Sequence, residues 1–252
     1  MNGNIENTWL EQNDVPDKMN IFQRIGCLFF SPSKLFLFIR KKPTILFPII
    51  LISICAVASQ VLIWEQSKSA QIDMLYNMYK GMGQTYTPDQ LENMLETYKY
   101  FGFALAPFTY LISWLITSLV LYLIYRLVKC ETGLKKYFSM TGYIMILTMV
   151  GLVIHSAYIN ITGSEAASMM VTSVASLLDP GLQGTFLYGL ASNIEVFNLW
   201  SFVLFGMGFA YTGGVDRKKS YTLTAILAVV VILASAGWYL VSNGLLGSLF
   251  GS

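Results

Sequence analysis

Apolar residues fall in five long blocks, about 44–64, 103–126, 137–161, 194–213 and 221–242, separated by polar connections. The hydrocarbon core of a bilayer is about 30 Å thick and takes about 20 helical residues to cross, so each block can span it. The pattern predicts an all-α integral membrane protein with five transmembrane helices. Two connections, about 65–102 and 162–193, are too long to be simple linkers.

The segment before the first block divides in two. Residues 1–18 are polar and carry Glu6, Glu11, Asp14 and Asp17, which predicts a flexible tail. In residues 19–42, Phe22, Ile25 and Phe29 recur at helical spacing with Arg24 off that face. Ser31-Pro32 then reads as a cap followed by proline at the first helical position. The turn and a half that follows mixes Leu35, Phe36, Phe38 and Ile39 with Lys34, Arg40, Lys41 and Lys42. Aromatic and basic helices of this kind lie at the inner interface, with rings in the acyl boundary and cations near anionic headgroups. The candidate lipid-interface residues are Phe29, Phe30, Lys34, Phe36, Arg40, Lys41 and Lys42. The charges of such an amphipathic interfacial segment either bind lipid or serve only to fix topology. Pro43 closes the segment, and Pro48 falls in the first turn of the span, where a missing N–H costs little. The membrane domain then runs over 43–252, with Trp64 at the outer interface.

In the first long connection, Thr87-Pro88-Asp89-Gln90 combines a capping threonine, proline at N1 and glutamine at N3. That is a capping box opening a helix at about 88. Leu91, Met94, Leu95 and Tyr98 give it one apolar face, with Glu92 and Glu96 pointing away. A second short helix over about 65–80 and a turn at Gly81-Met82-Gly83 predict an external helical hairpin, packed on the membrane surface or against the bundle. In the second connection, Ser164 caps a predicted helix running to about Leu178, with Glu165 in its first turn. Asp179-Pro180-Gly181 breaks it, and a short apolar turn over 185–190 follows.

Charge orients the blocks. Six cations precede the first block (Lys18, Arg24, Lys34, Arg40, Lys41, Lys42), four lie between the second and third, and three between the fourth and fifth. The other side holds Lys68, Lys80 and Lys99 alone. Positive residues stay inside, which predicts a cytoplasmic N-terminus and an external C-terminus in the cell (plasma) membrane. The chain is 55% hydrophobic and 12% charged, against about 25% charged residues in ordinary soluble domains. A net charge of +2 gives no footing for nucleic acid as a partner. Cys27, Cys55 and Cys130 fall on the inner side or within a block, so no disulfide framework is expected. The polar start also predicts insertion by the first block, without a cleaved leader.

Few side chains could carry chemistry. His155 is the sole histidine, and an ionisable residue inside a membrane is a functional candidate by default. Its alternative is a hydrogen bond to another helix. Glu195 sits in Ser192-x-x-Glu195, a capping-box pattern at the start of the fourth span; it either bonds its own helix or forms a polar site with Asn198. No ligand cluster at metal spacing and no catalytic signature accompanies them, so neither a metal nor a cofactor is expected. Gly206, Gly208, Gly213 and Gly214, with Gly142 and Gly151, let helices approach closely.

The run from Phe29 to Phe36, then Lys42-Pro43 and Pro48, is similar to the start of bacterial members of the Yip (Ypt-interacting-protein) domain family. Gly142-Tyr143 resembles a small-plus-tyrosine feature of that family, and Asn193-Ile194-Glu195-Val196-Phe197-x-x-Trp200 with Gly206 resembles its fourth-span start. The family often has Asp where Glu195 stands. The resemblance covers about 20–242 and implies a non-enzymatic membrane scaffold or accessory protein without catalytic residues. Partners implied are lipid and another membrane protein, such as an ABC-type exporter or an envelope-stress component; a homo-oligomer also fits. Eukaryotic members carry an acidic Asp-Leu-Tyr-Gly-Pro motif before the first span. It is missing here, so the resemblance implies no small GTPase. The alternative is a small-solute or ion transport protein, which predicts a midplane polar cluster or broken helices. An intramembrane enzyme ranks third.

Overall fold

A computed structural model describes residues 18–127, 130, 133–163 and 170–250. Of the predicted tail only Lys18 is among them. Regular structure is helical: α1 (Ile21–Phe30), α2 (Pro32–Lys41), α3 (Leu46–Gly81), α4 (Pro88–Leu127), α5 (Leu134–Thr162), α6 (Phe186–Asn193), α7 (Val196–Tyr211) and α8 (Arg217–Phe250). Two 3-10 turns, Val174–Leu177 and Pro180–Leu182, lie between α5 and α6. Four helices are long and apolar enough to cross a membrane: α3, α4, α5 and the Arg217–Asn243 part of α8.

The fourth predicted block differs. Its helix α7 has 16 residues, a rise of about 24 Å against the roughly 30 Å hydrocarbon core. Ile194 and Glu195 stand outside both α6 and α7 because their backbone pairs with another strand-like segment. The Val174 N–H donates to Ile194 O at 2.9 Å and the Val196 N–H to Thr172 O at 3.4 Å. Helix α6, which lies before the predicted block, begins at the Thr185 cap, and the two-residue break at Ile194 and Glu195 separates it from α7.

The chain divides into two compact units, the first comprising Met1–Leu51, Ile112–Leu147 and Trp200–Ala228. In this unit α1 opens with a reciprocal capping box between Asn20 and Gln23. Ser31 precedes Pro32 as predicted, but its side chain makes no cap hydrogen bond. Leu35, Phe36, Phe38 and Ile39 of α2 are at most 2% exposed. Thr212 Oγ1 donates to Phe36 O at 3.0 Å, and the Phe36 ring lies against Gly208. This corrects the expectation for Phe36, which faces protein and not lipid. Short spacing puts four apolar residues around most of a helix whose polar outlets are Lys34 at its start and its basic end, and the turn between them buries itself. Tyr125 stacks on Phe209, and its hydroxyl bonds Thr224 at 2.6 Å.

The second unit comprises Ile52–Leu111, Thr148–Leu199 and Val229–Ser252. The predicted hairpin is here, but its arms are not separate helices: α3 runs unbroken for 36 residues and α4 for 40. No Gly or Pro interrupts α3 between Pro48 and Gly81, so nothing ends the span at Trp64. The turn at Gly83 has φ +74°, a conformation glycine adopts freely. The Thr87 capping box forms in both directions, at 2.9 and 3.3 Å. Glu92 and Glu96 do not point away. Lys68 pairs with them at 2.7 and 2.9 Å, and Lys99 pairs with Glu96 and Glu65 at 3.5 and 3.8 Å. Leu91 is fully buried, whereas Tyr98, expected on the same face, is 63% exposed.

The predicted helix from Ser164 begins outside the described residues; over 170–178 it is not formed, because Ser173 pairs with Glu195 and only a 3-10 turn, Val174–Leu177, follows. The break at Asp179-Pro180-Gly181 is present, with the Gly181 N–H donating to Asp179 Oδ1 at 2.7 Å.

Candidate functional site

The break between α6 and α7 gathers the polar residues singled out in the sequence. Ser192 lies inside α6 and donates its hydroxyl to Tyr188 O, so it cannot cap α7. Glu195 is itself the cap. Its Oε1 accepts the Phe197 N–H at 3.0 Å, and its Oε2 accepts the Asn198 N–H at 2.6 Å. Thr172 donates a further bond to Oε1 at 2.5 Å. Glu195 is 6% exposed. The first N–H groups of a helix carry partial positive charge and stabilise a carboxylate there.

His155, also buried, is tied to the same loop. Its Nδ1 accepts the Val171 N–H at 3.2 Å, one residue before the threonine that reaches Glu195. Acceptance at Nδ1 places the ring proton on Nε2 and leaves the imidazole uncharged. The expected bond to another helix goes instead to loop backbone. Asn198 donates its side-chain amide to Asn193 O at 2.9 Å, bridging the break. Phe197 packs on Gly151, where an added methyl would stand 2.6 Å from the ring. Gly151 lies three residues past the middle of α5, roughly 5 Å along its axis. The break is therefore level with the interior of a helix long enough to span.

Two residues of this site escaped the sequence reading, Thr172 and Ser173. Ser173 pairs directly with Glu195 across the isolated bridge, is 4% exposed, and its hydroxyl has no hydrogen-bond partner among the described residues. No local pattern marks it, because its partner is 22 residues away. Among the described residues no three His, Cys, Asp or Glu side chains gather as a metal site.

A second polar cluster, in the first unit, holds the N-terminal helices. Arg24 Nη1 donates to Thr44 Oγ1 and to Tyr143 OH, both at 3.3 Å, and its Nε donates to Met19 O at 3.0 Å. Thr44 and Tyr143 share a 2.9 Å bond, Ser139 Oγ donates to Thr44 O at 2.9 Å, and the guanidinium lies 4.9 Å from the Phe38 ring centroid. Beside it, Gly142 is pressed against Pro48, whose Cβ would be 2.9 Å from an added methyl. Of the lipid-interface candidates, Phe30 is 88% exposed; Lys34, Lys41 and Lys42 are exposed, and Phe29 and Arg40 are half-buried. Phe22, noted only for spacing, is 84% exposed.

The Yip1 domain pattern matches residues 26–239. The chain belongs to the Yip1 domain family. It is also 24% identical over 222 residues to the membrane protein YknW of Bacillus subtilis (strain 168), covering 88% of this chain and 90% of that one. No solved structure matches it. As a Yip1-domain protein with several long apolar helices, the chain is a multi-pass membrane protein. The residues that carried the resemblance have specific work in the fold: Tyr143 ties Arg24 to Thr44, Glu195 caps α7, and Gly206 accepts the Ser220 hydroxyl bond at 2.8 Å.

Proposed function

We propose that this Yip1-family chain is a non-enzymatic scaffold or accessory protein of the cell membrane, crossing it five times with its N-terminus inside. It docks a second membrane protein through the external hairpin of α3 and α4, and it meets lipid through α1 with the basic end of α2. An ABC-type exporter or an envelope-stress component fits as the partner. The observation that carries this reading is the hairpin. Its arms are clasped by Lys68, Lys99 and Trp64, and beside the clasp runs an open groove lined by Tyr86, Gln90, Asn93, Met94, Thr97 and Tyr98. A clasped hairpin with an aromatic groove suits recognition, since aromatic residues supply much of the energy at interfaces.

The test is crosslinking in native membranes, followed by purification of this chain and identification of its crosslinked companions. Asn93→Arg with Thr97→Arg fills the groove with charge but leaves the clasp untouched. Loss of one abundant companion at an unchanged unfolding midpoint is the expected result. An identical set of companions would remove the groove from the account.

A second reading, a small-solute or ion pathway, gains support from the break before α7. Broken helices with a buried carboxylate are the form such pathways take. Flux into proteoliposomes that is abolished by Glu195→Gln would favour it over the scaffold.

A further inference from the structure

The Glu195 carboxylate is buried and accepts three hydrogen bonds. No Lys or Arg pairs with it among the described residues, and His155, tied to the same loop, is held uncharged. Among the described residues its compensation is the partial charge at the start of α7 and the Thr172 hydroxyl. Opposite it stands Ser173, with a buried hydroxyl that bonds nothing among the described residues. A buried orphan hydroxyl calls for an unseen partner.

The pairing geometry brings these two side chains together. The bonds from Val174 N–H to Ile194 O and from Val196 N–H to Thr172 O flank the Ser173–Glu195 pair without joining it. In such a non-hydrogen-bonded antiparallel pair the Cα atoms approach to about 4.5 Å and both side chains leave the same face. The Ser173 hydroxyl therefore shares a face with the carboxylate. Oε1 already accepts two bonds, whereas Oε2 accepts one and keeps an open lone pair. The Thr172 carbonyl, held only by the long 3.4 Å bond, lies on the same strand-like segment.

We propose that the break binds one hard monovalent cation of the sodium class, held by Glu195 Oε2 and the Ser173 hydroxyl. The chemistry selects the class. All donors are oxygen, which suits hard cations, and a single carboxylate balances one positive charge and not two. The C-terminal end of α6, adjacent in sequence, adds carbonyl partial charge of the favourable sign. The cation joins the loop at 172–174 to the start of α7, so its binding stabilises the break. This requires neither the scaffold nor the pathway reading.

The experiment uses the full chain, purified in detergent, and follows its thermal unfolding at constant ionic strength as sodium chloride replaces choline chloride. The expected result is a saturable rise in the midpoint with sodium. Ser173→Ala should shift the half-saturating concentration upward about tenfold, and Glu195→Gln should abolish the rise. Where Glu195→Gln fails to fold, the Ser173→Ala titration decides alone. Equal midpoints in sodium and choline would overturn the site, as would a rise that persists unchanged in Ser173→Ala. Stabilisation by acid without any sodium dependence would overturn it too, in favour of a proton on Glu195.

Discussion

A methyl group added at Gly151 would stand 2.6 Å from the Phe197 ring, closer than packed atoms approach. At Gly237, in α8, the same methyl meets nothing within 4 Å. Small residues at crossings let helix backbones close on one another, so the two positions should respond differently. Gly151→Val forces the start of α7 away from α5 and should cost about 1–3 kcal/mol. Gly237→Val should stay within about 0.5 kcal/mol of the parent. Thermal unfolding in detergent compares them, and equal effects would refute close packing at Phe197. Glu195 shows how a residue can be legible in kind and misread in detail. Its role at the start of the fourth span follows from a local pattern, but Ser192-x-x-Glu195 is satisfied equally by a serine inside a preceding helix. Only the bond from Ser192 to Tyr188 O separates the two. Ser173 was not legible at all, since a single bridge across a loop leaves no periodicity.

At the scale of elements, three local signals held, while Ser31 made no cap bond and Ser192 did not cap α7. The Thr87–Gln90 capping box, the glycine turn before it and the Asp179 break involve neighbours in sequence, and each formed as expected. Burial of α2 depends on what packs over it, which its mixed aromatic and basic sequence does not state. The same holds for the continuity of α3, since a change from apolar to polar residues at Trp64 marks a change of surroundings and does not end a helix. The hairpin clasp yields a prediction of its own. Trp64 is 8% exposed, packs edge-on against Phe103 with centroids 5.5 Å apart, and donates to Glu96 Oε1 at 3.4 Å. Trp64→Ala should therefore destabilise the hairpin by about 3–5 kcal/mol. Lys68→Gln removes ion pairs open to solvent, so its effect should be much smaller and vanish in high salt. Hydrogen exchange over 65–100 at low and high salt reads both, and a dominant, salt-resistant Lys68 effect would contradict this ranking.

For the whole molecule, membrane class and Yip1 membership were legible because composition, block length and scattered family residues are properties of the chain itself. The number of crossings is harder to read. α7, with 16 residues, is too short to cross alone, and the proposed fourth crossing needs α6 as well. The proposed topology takes its direction from the charge asymmetry, which puts Lys42 and Lys218 inside and the connections at Met82 and Gln183 outside. Labelling of single cysteines by a membrane-impermeant maleimide, in a chain whose Cys27, Cys55 and Cys130 have been replaced, tests this most directly. In intact cells Met82→Cys and Gln183→Cys should react, whereas Lys42→Cys and Lys218→Cys should react only after the membrane is opened. Labelling of Gln183→Cys and Lys218→Cys from the same side would show that α6 and α7 do not cross, and would contradict the five-span account.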